Sequence, residues 1–133
     1  MGILDQLKPK PKDGAFDMPL SVWRVLHSNL FMTGHYAQDA LRALEPFALF
    51  RVKVSKQTKR NMPSGWEVDP TGAVIMGERK ELLATVDARR MAENGIETGK
   101  SYLAFVIPPC SDLREGVRIE DEYTLAIMPR DML

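Results

Sequence analysis

From Phe50 onward, apolar residues recur at every second position in short runs, and glycine or proline interrupts those runs. Phe50, Val52 and Val54 alternate with Arg51, Lys53 and Ser55. A period of two puts alternate side chains on opposite faces of a strand, so a strand with one buried face is expected here. Asp69-Pro70-Thr71-Gly72 is a turn signal, and it predicts a hairpin between Trp66-Glu67-Val68 and Ala73-Val74-Ile75-Met76. Leu82, Ala84, Val86 and Ala88 alternate again, which predicts a strand to about Ala88 and then a short helical turn ending at Asn94-Gly95. Tyr102 to Ile107 is apolar on both faces, as in a strand covered on two sides, and Pro108-Pro109 stops it. Val117 and Ile119 flank Arg118, and Tyr123, Leu125 and Ile127 form a last strand before Pro129. The expected fold is mainly β: a small β-barrel or sandwich over about residues 47–129.

The first third reads differently. Residues 1–18 read as an extended basic arm, because Lys8-Pro9-Lys10-Pro11-Lys12 alternates cation with proline and cannot continue a helix or a central strand. Two short helices follow within 19–46. Pro19 suits a first helical position ahead of Val22, Trp23, Leu26 and Leu30. After Thr33-Gly34, the stripe Tyr36, Ala37, Ala40, Leu41 and Leu44 closes at Pro46. Residues 19–133 are thus expected as one domain, with the helical segment packed on the barrel. A chain of 133 residues buries roughly two-thirds of its unfolded surface, enough for a core without a staple.

Charge and cysteine usage exclude several function classes. Eighteen basic side chains balance eighteen acidic ones, so no overall field draws the chain to nucleic acid or to an anionic membrane. The single cysteine, Cys110, permits no intrachain disulfide and fits a reducing compartment. No apolar run approaches the about 20 residues of a bilayer span. Met1 to Gln6 has no signal-peptide character, and Gln6 stands where myristoylation wants Ser or Thr. A soluble protein made in the cytoplasm is expected.

Catalytic signatures are missing. His27 and His35 lie eight positions apart across a helix break, and Cys110 is distant in sequence from both, so no metal-ligand spacing appears. A Cys–His nucleophilic pair can meet only in space, and Pro108-Pro109-Cys110-Ser111 reads more simply as a turn holding a small residue. No phosphate-cradling glycine loop is present. Glu120-Asp121-Glu122 are consecutive, which suits a solvated hairpin tip better than paired acid–base work. No enzyme activity and no cofactor are expected.

Local charge is less even. Arg51, Lys53, Lys56, Lys59 and Arg60 span ten positions without an acid, whereas Asp112 to Glu122 holds five acids against two arginines. A loop carrying Lys56, Lys59 and Arg60, with Gln57, Thr58 and Asn61 as further donors, suits phosphate contact by charge without reading bases. The plain structural alternative is a solvated loop kept positive for solubility. Trp66 lies just beyond it and suits the core equally well. One basic and one acidic edge also permit head-to-tail contacts that close into a ring. The candidate interface residues are Lys8, Lys10 and Lys12 on the arm and Asp112, Glu115, Glu120, Asp121 and Glu122 on the acidic edge.

The stretch Phe50 to Met128 resembles the small head-closure (stopper) proteins of tailed bacteriophages. The likeness lies in Phe50-Arg51-Val52-Lys53-Val54, a long polar hairpin through Gly65-Trp66, the strand Leu82 to Ala88, the strand before Pro108, and Asp112-Leu113-Arg114-Glu115-Gly116-Val117-Arg118-Ile119 followed by Tyr123-Thr124-Leu125. That family often has Gly-Asp where this chain has Gly116-Val117, and the segment 19–46 is larger than the resemblance leads one to expect. The resemblance implies a ring of copies between portal–adaptor and tail in the virion. Residues 55–65 would face double-stranded DNA in the channel, and the arm would reach a neighbour. Two other readings fit the same residues: another tail or baseplate structural subunit, and a free small-barrel module that binds nucleic acid.

Overall fold

The computed structural model describes residues 16–129 together with the backbone of Lys8 and Pro9. The larger sheet contains β3 (His35–Tyr36), β4 (Phe50–Lys56), β5 (Gly72–Met76), β6 (Leu82–Asp87), β7 (Ser101–Ile107) and β10 (Thr124–Ile127), in the order β10-β7-β4-β5-β6-β3. Every neighbouring pair in it is antiparallel. A smaller sheet runs β1 (Lys8–Pro9), β2 (Phe16–Asp17), β8 (Cys110–Asp112) and β9 (Val117–Glu120). Three short helices complete the described fold: α1 (Leu20–Asn29), α2 (Gln38–Arg42) and α3 (Ala88–Glu93).

The larger sheet curls into a nearly closed barrel, and one stretch of chain bridges its two edges. Phe31 and Ile127 exchange both backbone hydrogen bonds at 3.0 Å, which ties residue 31 to β10. Four residues later, His35 and Tyr36 pair with Thr85 and Ala84 of β6. The Ala37 N–H then donates to the Leu83 carbonyl at 2.8 Å. Gln38 adds a side-chain rung: its Nε2 donates to the Tyr123 carbonyl at 3.0 Å and its Oε1 accepts the Tyr123 N–H at 2.7 Å. A primary amide offers both N–H donors and a carbonyl acceptor, as a strand residue's backbone does, so it can satisfy both backbone groups at an open edge. The segment 19–46 therefore does more than rest on the barrel. Its middle closes it.

Two apolar clusters explain the strand pattern. Inside the barrel lie Val52 and Val54, Ala73 and Ile75, Ala84 and Val86, Tyr102, Ala104 and Val106, and Leu125 and Ile127, with Leu41 from α2 and Met91 and Ile96 from the α3 region. Leu83 joins them out of alternation, because the β5–β6 register shifts between Ile75 and Met76. Outside, Phe105 and Ile107 meet Phe16, Met18, Val22, Leu26, Met32 and Cys110. Strand β7 is thus covered on both faces, as its unbroken apolar run predicts. The strand over 82–87 and the following helical turn also agree with the alternation, and Gly95 takes the left-handed conformation (φ 79°) that ends α3.

Several expectations are corrected. Tyr36 belongs to a strand, and the second helix shrinks to Gln38–Arg42, because the backbone at 35–37 pairs with β6 instead of continuing a helix. The partner of β5 is β4, not Trp66-Glu67-Val68; β5 has β4 on one side and β6 on the other, so no edge is left for 66–68. The Asp69 turn itself forms, with Asp69 Oδ1 accepting the Thr71 N–H and hydroxyl at 2.9 and 2.8 Å. Pro19 precedes α1 as its cap residue. Phe16, Asp17 and Met18, placed at the end of the arm by the sequence, are strand and core. Lys10, Lys12 and the Lys8 side chain lie outside the described residues.

Buried Tyr102 and part-buried Tyr36 make a test of opposite signs. The Tyr102 hydroxyl accepts the Glu97 N–H at 2.7 Å, whereas the buried Tyr36 hydroxyl has no hydrogen-bond partner among the described residues. Burial, with a smaller contribution from the Glu120 charge, pushes the Tyr36 hydroxyl pKa upward. Tyr102→Phe should therefore destabilise by about 1 kcal/mol, and Tyr36→Phe should be neutral or stabilise by up to about 1 kcal/mol. Urea midpoints of the two variants check this; equal losses would refute the assignment of the Tyr36 hydroxyl.

Candidate nucleic-acid interface

The basic loop is built on the barrel, between β4 and β5, and its amides are spent on its own shape. Gln57 joins its two ends: Oε1 accepts the Asp69 N–H at 2.9 Å, and Nε2 donates to the Ala73 carbonyl at 3.4 Å. Gly72 makes room for this, since a Cβ there would overlap the Gln57 amide. Asn61 and Thr58 close the turn at the loop's start, with Thr58 N–H donating to Asn61 Oδ1 at 2.8 Å and Asn61 N–H to Thr58 Oγ1 at 3.3 Å. Asn61 Nδ2 donates to the Lys56 carbonyl at 2.8 Å. The Gln57 and Asn61 amides are therefore the loop's internal fastenings, not the free phosphate donors the sequence suggested, and the Thr58 hydroxyl oxygen is used as an acceptor. Met62 is the loop's buried apolar side chain.

The cations are what the loop presents. Lys56, Lys59 and Arg60 are all exposed. The ion pairs among the described residues are Lys100–Glu97 and Arg118–Asp121, so none of these three has a carboxylate within 4.0 Å there. Trp66 is 57% exposed, which removes it from the core. The ten-residue cation run is divided by the strand's pleat. Arg51 and Lys53 stand on the outer wall of β4, because Val52 and Val54 alternate with them into the barrel interior. Lys56 falls on the interior side and is exposed because it ends the strand.

The acidic edge is less uniform than its composition. Asp112 is only 6% exposed and is used internally: Oδ2 accepts the Leu20 N–H at 2.8 Å and Oδ1 the Glu115 N–H at 3.0 Å. The first bond caps α1 from 92 positions away in the chain. The Leu20 bond, then the Glu115 bond, hold the Asp112 carboxyl below the usual range. Glu120 is half-buried, and its Oε1 accepts the Asp121 and Glu122 N–H groups at 3.0 and 3.4 Å. Asp121 pairs with Arg118 at 3.2 Å. Glu115, Asp121 and Glu122 are the acids left exposed. The bend at 121–122 is not a hairpin tip, because β9 and β10 belong to different sheets.

Cys110, His27 and His35, the residues with nucleophilic or metal-binding capacity, stand on three different elements. Cys110 opens β8 instead of occupying a turn, and it is buried. Burial, then the Glu120 charge, push its thiol up to about 12, so the thiolate needed for attack is scarce at neutral pH. His27 lies exposed on α1 and His35 exposed on β3. Among the described residues, no group of three His, Cys, Asp or Glu side chains is placed to hold a metal ion. None of the helices there is long and apolar enough to cross a membrane. No protein-family model, curated protein or solved structure matches the chain.

Proposed function

We propose that this chain is a non-enzymatic structural subunit of a tailed-bacteriophage virion: a head-closure component that forms a ring between portal–adaptor and tail, with the β4–β5 loop toward the DNA. The observation that carries the reading is the loop's division of labour. Its amides are consumed in holding its shape, while Lys56, Lys59 and Arg60 are exposed and lack carboxylate partners among the described residues. A loop whose form is already set loses little conformational freedom when it meets a phosphate surface. Charge alone then supplies attraction without base recognition. The order of strands and turns from Phe50 to Met128 supports the phage assignment through its resemblance to head-closure proteins. The exposed acids Glu115, Asp121 and Glu122 and the exposed cations of the loop would give adjacent copies charges of opposite sign for a closed ring.

Cross-linking and mass spectrometry of purified particles test this reading. The chain should appear in particles, in a fixed ring copy number, cross-linked to portal-side and tail-side neighbours. Cross-links confined to distal tail or baseplate proteins would move it to another tail role. Its absence from particles would refute the virion assignment and leave a free nucleic-acid-binding module.

A further inference from the structure

We infer that the outer wall of β4 is a second phosphate-binding surface, on which Arg51, Lys53 and Lys80 extend the contact of the loop along double-stranded DNA. This rests on the proposed DNA-facing role of the loop and enlarges it to a surface on the barrel itself. Arg51, Lys53 and Lys80, with Ser55, Ser101 and Met76, line an open groove of 540 Å³. The flanking positions are uncharged: Lys53 lies opposite Met76 on β5 and Ser101 on β7, and Arg51 lies opposite Leu103. Glu78 also lines the groove, and its Oε1 accepts the Arg51 backbone N–H at 3.1 Å, so the groove holds three cations against one acid. None of the three cations takes part in an ion pair among the described residues.

Two further features point to a phosphate ligand. Residues two apart on a strand stand about 6.6 Å apart, comparable to the through-space step between neighbouring phosphates of one DNA strand, of which the rise of about 3.4 Å is only the axial part. Arg51 and Lys53 therefore present an evenly spaced pair of charges. Lys80 holds a positive φ of 62° in the β5–β6 turn, a conformation that glycine or asparagine adopts at lower cost. A lysine kept in that conformation beside two other cations is costly for the turn and useful to an anion site. The three cations are exposed, so their replacement leaves the core intact.

Anisotropy of a labelled duplex of about 30 base pairs, titrated with the full chain between about 20 and 200 mM salt, separates the possibilities. The plot of log affinity against log salt should lose about 2.7 of its slope in Arg51→Gln/Lys53→Gln/Lys80→Gln and about 1.8 in Lys59→Gln/Arg60→Gln, at about 0.9 per phosphate contact. Lys53→Gln alone should lose about 0.9 and guards against misfolding of the triple variant, with circular dichroism melts run alongside. A loop variant that loses slope while both wall variants keep it overturns the inference and leaves the DNA-facing loop standing. A wild-type chain that binds no duplex at the lowest salt overturns both.

Discussion

Gly34→Ala should cost the barrel about 3 kcal/mol, the sum of a backbone penalty of about 1 kcal/mol and an overpacking penalty of about 2 kcal/mol. Gly34 has φ 146°, a region side-chain-bearing residues rarely adopt, and an added Cβ would stand 2.9 Å from the Thr85 carbonyl oxygen. That oxygen belongs to the backbone of β6, so it cannot swing aside as a flexible side chain would. The position lies between the Phe31–Ile127 bridge and the His35–Thr85 pair, the two attachments that close the barrel. Relief of the clash must therefore separate one edge from the closing segment. Gly65→Ala is the control: φ is 86° but nothing lies within 4 Å, so only the backbone term of about 1 kcal/mol applies. Urea unfolding of both variants gives the comparison. A Gly34→Ala loss no larger than that of Gly65→Ala would mean that residues 31–37 do not hold the barrel closed.

The strands were legible where alternation ran for four residues or more. β4 and β6 follow directly from it, and β7 announced its two covered faces by an unbroken apolar run from Tyr102 to Ile107. β3 was not legible, because two residues carry no period and Tyr36 also fits a helical stripe with Ala40 and Leu44. What decides its state is a partner, Ala84, far along the chain. Asp112 misled for a similar reason: among so many acids it resembles surface charge, and only the distant Leu20 N–H reveals a cap. In the candidate site the cations were readable but their grouping was not. The pleat sends Arg51 and Lys53 to the wall and Lys56 to the rim, so a run that looks continuous in sequence forms separate surfaces. Gln57 and Asn61 looked like donors awaiting a ligand, and the loop's backbone had already taken them. Residue type tells what a side chain can bond to; the fold decides whether that capacity is still free.

Gln38 permits the closure to be tested without touching the backbone. Gln38→Ala removes both bonds to Tyr123, leaving a part-buried N–H and C=O short of partners, and should destabilise by about 2 kcal/mol at every pH. Gln38→Glu should behave differently, because its stability should depend on protonation. The protonated carboxyl has the shape of the amide, accepts the Tyr123 N–H and donates its O–H to the Tyr123 carbonyl. The carboxylate still accepts the N–H, but it sets two acceptor oxygens against each other where the amide donated at 3.0 Å. Loss of the donor outweighs the single retained bond, so the folded-state pKa of the introduced carboxyl rises above the unfolded value of about 4.3. An acid with a raised folded pKa leaves the folded state holding the extra proton between the two values, and stability falls as pH rises through that window. The difference between Gln38→Glu and wild type, measured at each pH so that the native acids cancel, should be small below about pH 4 and reach about 2 kcal/mol near neutrality. A difference that stays flat across this range would show that the amide is not acting as the barrel's missing strand rung.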